Sequence, residues 1–125
     1  MNLNEETILK AYSMGIFPMS ESYNDPNIYW VNPKKRSIID IDNFKISKSL
    51  KKEVKKEKFE ITFNKNFEEV IKCCAKKTKE RPSTWINKKI INAYSDLHKL
   101  GHAHSVEVWF EKKLVGGLYG VSLGS

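Results

Sequence analysis

Five lysines stand out for their spacing. Lys48, Lys51, Lys52, Lys55 and Lys56 recur at i, i+3, i+4, i+7 and i+8. At about 100° per residue they share one helical arc of roughly 140°. Ammonium groups packed this way repel each other and weaken the helix unless salt or a polyanion relieves them. Lysine acts as a point charge, so such a face would track phosphates without reading sequence. A solvated face of a lysine-rich protein is the plainer reading, and at this level both stand.

A second stretch with chemical potential is GHAHSVEVWFEKKLVGGLYG, Gly101 to Gly120. Ser105, Glu107 and Trp109 alternate with Val106, Val108 and Phe110, the period of a strand with two different faces. Glu111-Lys112-Lys113 is a polar turn, and Leu114 and Val115 open the return strand. Gly116 and Gly117 weaken that strand unless the backbone must stay bare for a bulge, a ligand or a neighbouring chain. A sheet shaped for a substrate and a twisted, bulged hairpin both fit.

His98, His102 and His104 lack an accompanying carboxylate or fourth ligand, so their spacing favours structural hydrogen bonding over a zinc site. Cys73 and Cys74 are adjacent, which excludes a disulfide framework and offers no metal-ligand spacing. Cys74 falls on a helical core stripe and reads as a small core residue with Cys73 at its edge. A nucleophilic role would need a base and a cationic setting. The chain carries no glycine-rich phosphate loop, hydrolase elbow or zinc-protease helix.

Composition bounds what surrounds these residues. With 125 residues and 40% hydrophobic content, the chain is about one domain with enough apolar side chains for a core. No apolar run approaches the length of a membrane span, and the polar, acidic start MNLNEETILK is unlike a secretory signal, which makes the cytoplasm the default location. A net charge of +7 and a pI near 9.4 favour a polyanionic partner.

The elements follow in order. Asn4 caps a first helix with Ile8, Ala11 and Tyr12 on one face, and Gly15 stops it. Ile16-Phe17-Pro18 leaves it extended, Glu21 to Asn27 is turn-like, and Ile28 to Val31 is a short strand. Asn32-Pro33-Lys34-Lys35-Arg36 breaks it and marks a sub-domain boundary, after which Ser37 to Ile41 begins another strand. Ser47 to Lys58 forms the lysine helix, with Leu50 and Val54 opposite the lysines and docked on the core. FEITF, Phe59 to Phe63, is a strand, and Asn64 or Asn66 caps a helix with the stripe Phe67, Val70, Ile71 and Cys74. After the charged loop Lys76 to Arg81, closed by Pro82, and the extended Thr84-Trp85-Ile86, a last helix runs from about Asn87 to Leu100. Ile90, Ala93, Tyr94 and Leu97 face inward, and Gly101 ends it.

Several blocks, taken together, resemble one family. AYSMGIFPM (Ala11–Met19), YWVNPKKR (Tyr29–Arg36), KISKSLKK (Lys45–Lys52), TWINKKIINAY (Thr84–Tyr94), LHKLGHAHSVEVW (Leu97–Trp109) and LVGGLYG (Leu114–Gly120) look like the bacterial leucyl/phenylalanyl-tRNA–protein transferases. The blocks come in the family's order and cover nearly the whole chain. The resemblance implies an α+β architecture: a small N-terminal α+β domain, residues 1–35, joined to the first part of an acetyltransferase-like (GNAT-like) domain, residues 36–125. It implies transfer of Leu or Phe, and less well Met, from aminoacyl-tRNA to proteins that begin with Arg or Lys, marking them for degradation. No cofactor or metal is implied, and the complete protein is expected to be a monomer.

The same resemblance suggests residue roles. Lys48, Lys52, Lys55 and Lys56 match the family's basic helix as tRNA phosphate contacts. Trp85 is the best candidate to stack the 3′-terminal adenosine, a contact worth roughly 1–3 kcal/mol per base. Tyr12 and Tyr94 match tyrosines near the site, although core packing competes with that role for Tyr94. Leu118 matches a position lining the pocket for the Leu or Phe side chain. Met19 stands where many relatives carry Trp, and its thioether is adaptable but a poorer stacking surface. The family continues past VSLGS with roughly as many residues again, and the carboxylate and amide assigned to amine activation lie there. Catalytic residues are therefore expected beyond Ser125. This chain is expected to have little transferase activity alone and to present its last strand as an unpaired edge. A non-catalytic RNA-binding fragment using only the lysine helix is the alternative.

Overall fold

The computed structural model describes residues 3–124. The first helix, α1 (Glu5–Ser13), starts on a reciprocal cap: Thr7 N donates to Asn4 Oδ1 at 2.9 Å, and Asn4 N donates to Thr7 Oγ1 at 3.1 Å. Glu5 and Glu6 sit in its first turn, where the helix dipole favours carboxylates. Gly15 adopts φ +77° and donates to Tyr12 O while Ile16 N donates to Ala11 O, the paired bonds that close a helix on a left-handed glycine. Arg36 donates from its guanidinium to Gly15 O and so ties the following linker to this turn.

β1 (Phe17–Met19) and β2 (Tyr29–Val31) form a two-stranded antiparallel sheet with Pro18 opposite Trp30. α2 (Lys48–Lys55) is the lysine helix, capped by Ser47, whose Oγ accepts from Leu50 N at 3.2 Å. A second sheet has the order β3-β4-β5, antiparallel throughout: β3 (Glu60–Phe63), β4 (Ala103–Phe110) and β5 (Lys113–Val121). α3 (Phe67–Ala75) and α4 (Lys88–Lys99) pack on one face of that sheet, and α1 packs on α4. Among the described residues, four helices and two antiparallel sheets make an α+β fold, as the resemblance implied.

The core lies between α1, α3, α4 and the inner face of the second sheet. Ile8, Phe67, Ile71, Ile86, Ile90, Tyr94, Leu97 and Ala103 are its buried members. The α4 stripe is the one its periodicity predicts. Asn87 caps this helix by accepting from Ile90 N at 2.9 Å, and Gly101 at φ +85° ends it. Glu111 and Lys112 both have positive φ, so β4 and β5 are joined by a two-residue turn of the mirror-image type that matches strand twist.

Two expectations need correction. Ser37 to Ile41 forms no strand; Ile38 is 86% exposed, and no neighbouring strand offers this segment a ladder. Leu50 and Val54 do not dock: they are 48% and 67% exposed, and α2 buries no residue. Two aliphatic side chains among four lysines and a glutamate form too narrow a stripe to anchor a helix of eight residues. The α3 stripe extends further than its spacing suggests: Ala75 is buried in the core, Cys74 packs against it half-buried, and Cys73 is exposed, as expected for its edge. Among the described residues, no helix is long and apolar enough to cross a membrane.

Candidate functional site

A tyrosine cluster forms where α1, α4 and β5 meet. Tyr12 OH and Tyr94 OH share a hydrogen bond of 2.7 Å, and their rings meet edge to face with centroids 6.3 Å apart. Tyr119 extends the cluster with edge contacts to Tyr94 and Phe67, each at 5.8 Å. The Phe67 ring stacks on His98 at 4.6 Å. The Tyr119 hydroxyl is buried without a hydrogen-bond partner among the described residues. Burial pushes all three phenols above their ordinary range; for Tyr12 the bond from Tyr94 offsets part of the rise, and for Tyr94 the proximity of Tyr12 adds to it. These groups are neutral donors and acceptors at physiological pH. They cannot serve as phenolate bases.

The end of β1 is tied to the Trp85 backbone through the residue after Met19. Ser20, next after Met19, donates to Trp85 O from its amide at 2.9 Å and from Oγ at 3.0 Å. Trp85 is 38% exposed, so one side of the indole is open, and Met19 is half-buried. Leu118 lies elsewhere. Its neighbour Tyr119 points into the core, so Leu118 occupies the opposite face of β5 and is 61% exposed. There it joins Ile61 and Phe63 on an open apolar surface.

The glycine pair has a local cause. Val108 pairs with Gly116 and Trp109 with Leu114, leaving Val115 as an extra residue, a bulge. A Cβ on Gly117 would lie 2.9 Å from Val106 O and 3.2 Å from Val70 Cγ2, so the bare backbone lets α3 approach the sheet. Close approach within the chain therefore accounts for Gly117, while Gly116 follows the bulge and a Cβ there would meet Val108 only at 3.7 Å.

Lys48, Lys52 and Lys55 on α2 and Lys56 at its C-cap are all exposed. Lys56 pairs with Glu53 at 2.9 Å; the other three make no ion pair among the described residues. The histidines serve locally: His98 Nδ1 lies 2.9 Å from Ala103 O, and His104 bridges Asn64 and Ser122 through its two ring nitrogens. Cys73 is exposed, and burial pushes the Cys74 thiol up, with Arg81 partly opposing it.

One polar centre was not singled out by sequence. Glu107 is 0% exposed and accepts from Ser105 Oγ, from Thr62 Oγ1 at 2.6 Å and from Lys65 N at 3.1 Å. Trp109 Nε1 donates in turn to Thr62 Oγ1 at 2.8 Å, and Asn64 Oδ1 accepts from Ser105 N. Burial alone would raise the Glu107 carboxyl, but bonds from Ser105, Thr62 and the Lys65 and Asn66 amides outweigh it and hold the group below the usual range. The available signal was the register: Thr62 lies directly opposite Glu107 across β3 and β4.

Fold and site together describe an α+β chain with an exposed cationic helix, a shielded tyrosine cluster and, apart from these, a partly exposed indole tied to Ser20 through its backbone. The model of the leucyl/phenylalanyl-tRNA protein transferase family matches residues 38–125, and that of the family's N-terminal domain matches residues 1–34. A leucyl/phenylalanyl-tRNA–protein transferase from Rhizorhabdus wittichii is 50% identical over 122 residues, which cover 98% of this chain and 49% of the relative. The chain belongs to the leucyl/phenylalanyl-tRNA–protein transferase family. It spans about half the length of the curated relative it matches.

Proposed function

We propose that this chain is the tRNA-facing part of an aminoacyltransferase that moves Leu or Phe, and less well Met, from aminoacyl-tRNA to the N-terminal Arg or Lys of an acceptor protein. The new residue marks that protein for degradation, and the reaction takes place in the cytoplasm. The observation that carries this reading is the family match along nearly the whole chain. Residues 1–35 act as the N-terminal domain, and residues 36–125 open a GNAT-like domain that works as a monomer once complete.

The reaction is an ester aminolysis. The acceptor's amine nitrogen bonds to the aminoacyl carbonyl carbon, the ester C–O bond breaks, and the adenosine hydroxyl leaves with the proton the amine gives up. The ester is already activated, so positioning and proton removal are the main demands, and no metal or cofactor is required. Lys48, Lys52, Lys55 and Lys56 hold acceptor-arm phosphates. Trp85 and Met19 receive the terminal adenosine. Tyr12 and Tyr94 act near the site as neutral hydrogen-bonding groups, and Leu118, on the open outer face of β5 opposite the tyrosines, offers apolar surface to the transferred side chain on that face. Phosphate contacts without base readout suit an enzyme that accepts more than one tRNA.

One observation favours a second reading, a non-catalytic RNA-binding module: the α2 lysines are exposed, and Lys48, Lys52 and Lys55 make no ion pair among the described residues. Labelled Leu-tRNA incubated with a peptide beginning with Arg separates the two. The chain joined to the remaining half of the relative labels the peptide if the transferase reading holds. If the joined protein binds Leu-tRNA yet labels nothing, the transferase reading is wrong and the binding one stands.

A further inference from the structure

Between the end of α3 and the first turn of α4 lies an open cavity of about 700 Å³. Lys72, Lys76, Lys77 and Lys88 line it, with the Tyr23 ring and a single carboxylate, Glu69. None of these four ammonium groups makes an ion pair or hydrogen bond among the described residues. Two carbonyls at the end of α3 are already satisfied by Arg81, which donates to Cys73 O at 3.2 Å and to Lys76 O at 2.8 Å. Lys88 is the first residue of α4, whose first turn holds no acidic side chain. Its charge therefore adds to the positive end of the helix rather than offsetting it. Four unpaired cations converging on one cavity raise its positive potential, and an anion seated there would relieve their repulsion.

We propose that this groove is a second phosphate-backbone site, separate from the α2 lysines, that takes an RNA strand with Tyr23 stacking on one base. The proposal rests on the RNA reading above and adds a contact surface to it. RNA is favoured over an acidic peptide because Tyr23, 43% exposed, presents a ring that a nucleobase can cover. Lysines spread over two helices grip phosphates without demanding a sequence.

The test is fluorescence anisotropy of a labelled acceptor-stem hairpin RNA with a single-stranded 3′ end, titrated with the 125-residue chain at several KCl concentrations. The combined variant Lys72→Gln, Lys76→Gln, Lys77→Gln is expected to lose affinity about tenfold or more. The slope of log K against log salt should become shallower by about 2 to 3, and Arg at the same three positions should restore both. Tyr23→Ala is expected to weaken binding roughly tenfold with the salt slope unchanged. These substitutions are all on the surface, and circular dichroism checks the fold. If the glutamine variant keeps wild-type affinity and slope while Lys48→Gln, Lys52→Gln, Lys56→Gln loses them, the groove proposal is overturned and the α2 reading survives. Loss in the groove variant alone supports the groove and removes α2. A wild-type chain that does not bind the hairpin overturns both. Polyglutamate that displaces the RNA from wild type but not from the groove variant, at equal charge concentration, overturns the choice of RNA.

Discussion

Glu107→Ala should strip the fold of its buried polar centre. The carboxylate is shut away from solvent and accepts from Ser105 Oγ, Thr62 Oγ1 and Lys65 N. Removing it leaves two hydroxyls and an amide facing a dry void. Each orphaned group costs about 1–3 kcal/mol, but the hydroxyls can turn toward other acceptors, so the sum is about 3–5 kcal/mol. With a urea slope of about 1.5–2 kcal/mol/M, the unfolding midpoint should fall by roughly 1.5–3 M. Trp109 reports the change directly because its indole N–H donates into the same network. Glu107→Gln keeps the shape but turns an amide N–H₂ toward donors, and should cost about 1–2 kcal/mol. The pH dependence has a defined sign. The folded carboxyl is held below its usual range, so its contribution is present above the unfolded value and is lost as pH falls through the folded one. Wild type should therefore lose stability from about pH 5 downward more steeply than Glu107→Gln. A Glu107→Ala midpoint within 0.3 M of wild type, on the order of 0.5 kcal/mol, would refute the reasoning.

Other predictions follow from local geometry. Gly117→Ala should destabilise the chain by about 1–3 kcal/mol, because its Cβ meets Val106 O and Val70, whereas Gly120→Ala has nothing within 4 Å and should stay within about 0.5 kcal/mol; thermal melts of the pair decide this. Tyr94→Phe removes the bond to Tyr12 and should cost about 1 kcal/mol in the same assay. Iodoacetamide should alkylate Cys73 well before Cys74, since Cys73 is exposed while burial holds the Cys74 thiol protonated; mass spectrometry of peptides from a time course shows the order.

What was legible in the sequence follows from how local each signal is. The α4 stripe of Ile90, Ala93, Tyr94 and Leu97 needs only helical periodicity, and the caps at Asn4 and Asn87 need only a side chain three residues from its target. The β4–β5 hairpin came from alternation and a polar turn. The fate of Leu50 and Val54 depended on whether another surface would meet them, which no spacing within α2 reveals. The inward turn of Ser105 and Glu107 was hidden for a similar reason. Val106 and Val108 look like the natural core face, but α3 and α4 cover the other side of β4, where Ala103, Ser105 and Glu107 are buried. Of the candidate site, the Tyr12–Tyr94 pair and the tie of Ser20 to Trp85 O arise only from the packing of segments far apart in the chain.

The central claim is that the exposed lysine face of α2 holds the acceptor end of an RNA. Its most direct test is the affinity of the chain for an acceptor-stem RNA, measured across salt for wild type and for Lys48→Glu, Lys52→Glu, Lys56→Glu. A control variant reverses Lys10, Lys99 and Lys113, which are exposed on other elements. The account predicts that binding by the α2 variant is abolished at about 0.1 M salt while the control keeps most of its affinity and a salt slope close to wild type. Equal affinity and equal salt slope in the α2 variant and wild type would contradict it.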